Sequence, residues 1–179
     1  MKVFKSLLLF AVAISFIGCG ASQRAASIIT NARYEEKTNT TEYMYLPYGQ
    51  VSIPGKWEKA SFAEDSRQQF FHNDDSVTIA VSFAPCNKFG FNTRGTLKGF
   101  DFLEAYYKWE ADYFVSNGLE CRAVESSKDD NCLIYRVFGQ GYDTYILISE
   151  KNAVVSNYSV MATDKWTEKQ KIDFLKSLL

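Results

Sequence analysis

This chain of 179 residues is poor in the side chains from which most active sites are built. It has one histidine, His72, so any Ser–His–Asp or Cys–His arrangement has to run through that residue. His72 opens the stretch "HNDD", beside Asn73, Asp74 and Asp75. Asn and Asp favour turns because their side chains bond the nearby backbone, so a turn accounts for His72 more simply than a catalytic base does. Neither "HNDD" nor "KDDN" (Lys128 to Asn131) has EF-hand spacing, and no Cys/His cluster has zinc spacing, which leaves no metal or cofactor site to name. Phosphate loops are missing as well. "GFNTRGT" sets two glycines at Walker A spacing, but Thr96 stands where the phosphate-binding lysine belongs, and "GQGYDT" lacks a third glycine. Nothing in the pattern selects a sugar-cleaving carboxylate pair, whose separation is set by the fold. Charge of one sign does not predominate: 20 basic residues face 21 acidic ones with no like-charge block of five. A nucleic-acid partner, which calls for a basic stripe, is therefore not expected. No apolar run approaches the roughly 20 residues that a membrane-crossing helix needs.

What is present begins at the first residue. Met1 to Lys5 carries two positive side chains and no negative one, Leu7 to Ile17 is apolar except for Ser15, and small residues surround Cys19. That is the plan of a secretory signal peptide. "FIGC" resembles the lipobox of bacterial lipoproteins: Gly18 and Cys19 match the pattern, while Phe16 stands where leucine is usual. The resemblance implies cleavage before Cys19 and a diacylglycerol thioether (palmitate-type chains) on its thiol, with two or more chains giving stable anchoring. A plain signal peptide with a chance cysteine is the alternative. The expected organisation is a signal peptide over 1–18, a lipidated cysteine and flexible tether over 19–42, and one domain over 43–179. The expected location is a bacterial membrane, facing periplasm or cell surface.

Three cysteines follow Cys19. Cys121 and Cys132 fall on apparent neighbouring strands of a hairpin, so a bridge between them and a pair of free thiols both remain open. Cys86 reads as a small core hydrophobe. Strands are expected at "GQVSIP", "RQQFF" and "SVTIAVSFAP", then a Gly-containing loop over 87–100. A helix is expected next, with Asp101-x-x-Glu104 as a capping box and Asn117-Gly118 as a left-handed stop. Four segments with short turns ("LECRAVES", "CLIYRVFG", "TYILISE", "AVVSNYSVMA") predict an antiparallel meander, and a helix from about Thr167 closes the chain. The fold class is α+β, an antiparallel sheet with helices packed on it.

Aromatic residues make up 16% of the chain and crowd "FDFLEAYYKWEADYF". Leu103, Tyr106, Tyr107, Tyr113 and Phe114 recur at helical spacing and should face a sheet. Phe102 and Trp109 sit seven apart, either as core seals or as a flanking exposed patch. Phe89, Phe91 and Phe100 would border that patch if the 87–100 loop folds back.

Several of these segments resemble PsbP-like domains. "YGQVSIPGKW" is similar to their opening strand and Pro-x-x-Trp turn, here Pro54 and Trp57. "SVTIAVSFAP" resembles the next core strand, and "NYSVMATDKW" with "IDFLKSLL" resembles the closing strand, tryptophan-containing turn and final helix. The resemblance covers roughly residues 46 to 179. It implies an α/β/α sandwich and a binding or assembly role in place of catalysis, with no common catalytic residues to carry over. The leading expectation is a membrane-anchored, non-catalytic module that binds an envelope protein partner, with Phe89, Phe91, Phe102 and Trp109 as candidate surface. A small-ligand or glycan-binding lipoprotein is the alternative, recognisable by a concave aromatic-lined cavity. An enzyme built on His72 or Cys86 is the third reading.

Overall fold

A computed structural model describes residues 28–179. Strands β1 (Ile29–Glu35), β2 (Thr40–Leu46) and β3 (Gly49–Pro54) form a small antiparallel sheet in that order. Six more strands precede or follow the long helix: β4 (Glu58–Ala63), β5 (Gln68–His72), β6 (Thr78–Pro85), β7 (Glu120–Ser127), β8 (Cys132–Gly139) and β9 (Tyr142–Lys151). With β10 (Val154–Val160) they make a seven-stranded antiparallel sheet ordered β4-β5-β6-β10-β9-β8-β7. Helices α1 (Gly99–Ser116) and α2 (Glu168–Lys176) complete an α+β fold. Among the described residues no helix is long and apolar enough to cross a membrane. The meander expected for the last four strands is present, β7 to β10 lying side by side.

The alternation of side chains divides the large sheet into two cores. On β6, Ile79, Val81 and Phe83 enter one core, which Tyr43, Tyr45, Val51 and Ile53 of the small sheet and Leu175 and Leu178 from the C-terminal end close over. On the opposite face Leu133, Tyr135 and Val137 of β8 and Ile146 and Ile148 of β9 meet Phe102, Leu103 and Tyr106 of α1. Each strand sends alternate side chains into the two cores, which is why β8 reads as an apolar run broken only by Arg136. Helix α1 lies over β7, β8 and β9. The same face of β5, β6 and β10 is not roofed by it, and there the site described below opens.

The folded chain starts earlier than expected. Residues 29–42, read as tether, form β1 and the beginning of β2; β1 pairs along its whole length from Ile29↔Leu46 to Glu35↔Thr40. Thr41, Tyr43 and Tyr45 alternate inward on β2, a two-residue period that the polar neighbours conceal. Strand β4 was not anticipated either: it is nearly all exposed and has no apolar face to betray it. It forms one outer edge of the large sheet, with β7 the other, and each carries a register shift, between Lys59 and Phe62 and between Ala123 and Glu125.

The start of α1 also differs. Lys98 is its cap, no side chain of its own caps it, and Asp101 lies inside the first turn. Gly99 takes φ +56°, and its N–H is satisfied by the Glu150 carboxylate on β9 at 2.8 Å. A residue 51 positions away thus performs the cap. The stop at the other end is as expected, with Gly118 at φ +79°. Helix α2 begins on a full capping box, Thr167 with Gln170.

Candidate functional site

A cavity of about 690 Å³ lies between the flank of α1 and the uncovered part of the large sheet. Its helical wall is Tyr106, Trp109, Glu110, Tyr113 and Phe114, which follow one another at spacings of three and four on one side of α1. Its floor is the inward row of β5, β6, β10 and β9: Phe70, Ser82, Ala84, Asn157, Ser159 and Thr144 among others. Phe89, from the segment between β6 and α1, and Tyr142 at the start of β9 complete the rings around it.

That segment is held in place by one side chain. Asn92 is buried; its amide donates to the carbonyls of Cys86 and Leu97, both at 3.1 Å, and its Oδ1 accepts from the Leu97 N–H at 2.9 Å. The turn so fixed stacks Phe89 on Phe91 at 5.7 Å between ring centres and sets both against Trp109, at 5.6 and 5.9 Å. Phe89 also meets Tyr106 edge-on at 4.9 Å.

Polar side chains stand among the apolar ones of the floor. Thr144, Asn157 and Ser159 are all buried. Ser159 donates its hydroxyl to Asn157 Oδ1 at 3.2 Å, and the Asn157 amide donates to the Tyr106 hydroxyl at 3.3 Å. Tyr106 in turn donates to Glu110 Oε1 at 3.0 Å, and Tyr135 of β8 donates to Glu110 Oε2. The bonds run in one direction, from sheet to carboxylate. Burial holds the Glu110 carboxyl above the usual carboxylate range, against the lowering effect of the two phenol bonds. Both phenols are pushed well above the ordinary tyrosine range, by burial first and by the neighbouring Glu110 charge second. No lysine, arginine or histidine pairs with Glu110 among the described residues.

The chain matches no protein-family model. No curated protein matches it. Among solved structures, the solution structure of cyanobacterial PsbP (CyanoP) from Synechocystis sp. PCC 6803 is similar, with a TM-score of 0.44 and 12% identity over 87% of this chain and 93% of that chain. That likeness reaches no further than the fold.

The residues singled out from the sequence fall in different places. Cys19 lies outside the described residues. Trp109 is 45% exposed and forms part of the cavity mouth, with Phe89 beside it in the wall. Phe91 packs behind them, and Phe102 is fully buried in the α1 core, so it is no part of an exposed patch. Its position seven before Trp109 is misleading because the two share one side of α1 yet lie roughly two turns apart along it, so that Phe102 falls within the core against the sheet while Trp109 stands at the cavity mouth. Tyr113, expected to face the sheet, is 60% exposed instead.

The Cys121–Cys132 bridge is not formed; both thiols are free. Cys121 sits opposite Val137 and Cys132 opposite Ser127, at the two ends of the β7–β8 hairpin. Five residues of strand separate them by roughly 17 Å, far beyond disulfide reach. His72 is exposed at the end of β5 and faces Thr78 on β6, whereas Cys86 is buried just past the other end of β6. Those eight residues, about 26 Å of strand, dissolve a Cys86–His72 dyad. Burial pushes the Cys86 thiol up to about 12 and Cys121 up to about 11, so neither is a ready nucleophile. The two polar turns do behave as turns: Asn73 Oδ1 accepts from the Asp75 and Val77 N–H groups, and Ser127 bonds Asp130. No group of three or more metal-ligating side chains occurs among the described residues.

Glu110 escaped the sequence reading. One signal was available: Tyr106 and Glu110 are four apart, which puts the carboxyl on the face of a tyrosine that the helical pattern already marked as inward. The partners that define the site, Tyr135 and Asn157, come from strands 25 and 47 residues further on, and no local pattern announces them.

Proposed function

We propose that this protein is a membrane-anchored binding protein that takes up a small ligand in the cavity between α1 and the large sheet. The observation that carries this reading is the combination in one cavity of about 690 Å³ of aromatic walls with a buried, hydrogen-bonded polar floor. Small-molecule sites are clefts of about 300–1,000 Å³, mostly apolar with a few placed polar groups. Polar side chains on a core-facing sheet surface cost stability unless paired, and their presence here suits a surface built to meet a ligand. The anchor is the lipobox around Cys19; loss of membrane retention on Cys19→Ala tests it, and unchanged fractionation overturns it.

Ligand uptake is tested with the full chain in phosphatidylcholine nanodiscs, dialysed to equilibrium against a small-molecule extract and analysed by mass spectrometry. Ala84→Phe raises a ring from the floor on β6 into the cavity and serves as the blocked control. Compounds enriched by the native chain and not by Ala84→Phe support the reading; no enrichment, or equal enrichment by both, overturns it. A second reading, docking of an envelope protein partner, is favoured by the exposed rings of Trp109, Tyr113 and Tyr142, which are gathered around the cavity mouth. Crosslinking in the native envelope that captures one protein through Trp109 or Tyr113 would support it.

A further inference from the structure

Resting on the ligand-binding reading, we propose that the ligand is an organic cation, an amine whose ammonium group is held by Glu110 while its apolar body lies against Trp109, Phe89 and Tyr113. Glu110 lines the cavity, and each of its carboxyl oxygens accepts from one phenol, Tyr106 or Tyr135. An ionised carboxyl has about four acceptor positions, so roughly two remain for a ligand. Every protein group that reaches it is a neutral donor, and none of the ion pairs among the described residues includes it. A half-buried carboxylate without a cation is costly to ionise, and an ammonium group arriving from outside would offset that cost.

The rings around it point to the same class. Phe89, Tyr106 and Trp109 form a contiguous set with centres 4.9 to 5.8 Å apart, and Tyr113, Phe114 and Tyr142 line the same cavity. Aromatic faces attract ammonium groups, most strongly where water is excluded, and ringed acidic pockets are a general solution for amines. Other charges on the cavity lining are Asp65 and Arg67 from the β4–β5 turn and Lys88, all solvent-exposed and therefore screened. An anionic ligand would have to bring its charge against the Glu110 carboxylate. A neutral alcohol would gain the rings and lose the charge.

The test uses the full chain in phosphatidylcholine nanodiscs, labelled with 5-fluorotryptophan. Its fluorine spectrum reports Trp109 at the mouth, with the buried Trp57 and the half-buried Trp166 of the opposite core as internal controls. The probes are phenethylamine, 2-phenylethanol and phenylacetate at pH 7. The amine is expected to shift Trp109 alone and to bind at least ten-fold more tightly than the alcohol, with phenylacetate weakest. Glu110→Gln, close to isosteric, should bring the amine to the affinity of the alcohol and leave the alcohol unchanged. Alcohol or phenylacetate binding as tightly as the amine overturns the proposal, as does an amine affinity unaffected by Glu110→Gln. The comparison of probes on the native chain stands even if that variant fails to fold. Dialysis enrichment blocked by Ala84→Phe, together with no preference for the amine, sinks the cation and spares the cavity; loss of both sinks the binding reading itself.

Discussion

Truncating Trp57 to alanine should detach α2 from the small sheet. Trp57 follows β3 and is buried beneath α2, its ring 5.5 Å from Phe174 and 6.2 Å from Trp166, while Trp166 and Phe174 are 5.0 Å apart. Its indole N–H donates to the Pro54 carbonyl at 2.7 Å, and its backbone N–H donates to the buried Thr41 hydroxyl at 2.9 Å. A tryptophan side chain buries on the order of 150–250 Å², which at ~25 cal/mol per Å² represents about 4–6 kcal/mol. Collapse of the neighbours recovers some of that, so the expected loss for Trp57→Ala is about 4 kcal/mol, within the usual range for such truncations. Trp57→Phe keeps most of the ring contacts and loses the indole bond, for a loss of about 1–2 kcal/mol. Urea unfolding followed by circular dichroism measures both, with the midpoint falling and the slope unchanged. The double variant with Phe174→Ala should fall short of additivity by about 1 kcal/mol. A loss below about 1 kcal/mol for Trp57→Ala would refute the assignment of this three-ring cluster as the attachment of α2.

Three further outcomes are expected. A side chain at Gly49 would drive its Cβ into the Phe83 ring, so Gly49→Ala should cost about 1–3 kcal/mol by overpacking, with partial rescue by Phe83→Leu. Cys86, with its thiol pushed up to about 12, should resist iodoacetamide near neutral pH until the protein unfolds, and non-reducing mass analysis should find no bond between Cys121 and Cys132. Glu110 has a raised folded-state pKa, so its contribution is most favourable below the ordinary carboxylate value and is lost as pH rises through the folded value. Chemical unfolding across pH 4 to 8 should therefore show the native chain losing stability relative to Glu110→Gln as pH increases; a difference that grows in the opposite direction rejects the raised value.

Most of the β6 to β10 region was legible from sequence because its strands are written twice over, in β-branched and aromatic content and in the short turns between them. The end of α1 was legible at Asn117-Gly118 for the same local reason. Its beginning was not, since the group that caps Gly99 belongs to Glu150 on a distant strand. Strands β1 and β4 present almost nothing but polar or exposed side chains and are held by backbone pairing, which leaves no mark in composition. The site divides the same way. Rings clustered in one helical segment could be noticed; which of them would be sealed under the helix, as Phe102 is, and which would stand at a mouth, as Trp109 does, depends on where α1 stops covering the sheet. The meaning of Glu110 came entirely from Tyr135 and Asn157, brought together by topology.

The two irregular outer strands of the large sheet have a consequence of their own. A straight, apolar border with its N–H and C=O groups in a row is a template on which another chain can lay itself down. On β4 the ladder slips between Lys59 and Phe62, and on β7 between Ala123 and Glu125, and both strands carry exposed charges such as Glu58, Lys59, Glu120 and Arg122. An incoming strand would lose step within three residues and would have to bury ions to continue. The large sheet is thereby finished at both margins, and crowding many copies together should not stitch them into ribbons along it.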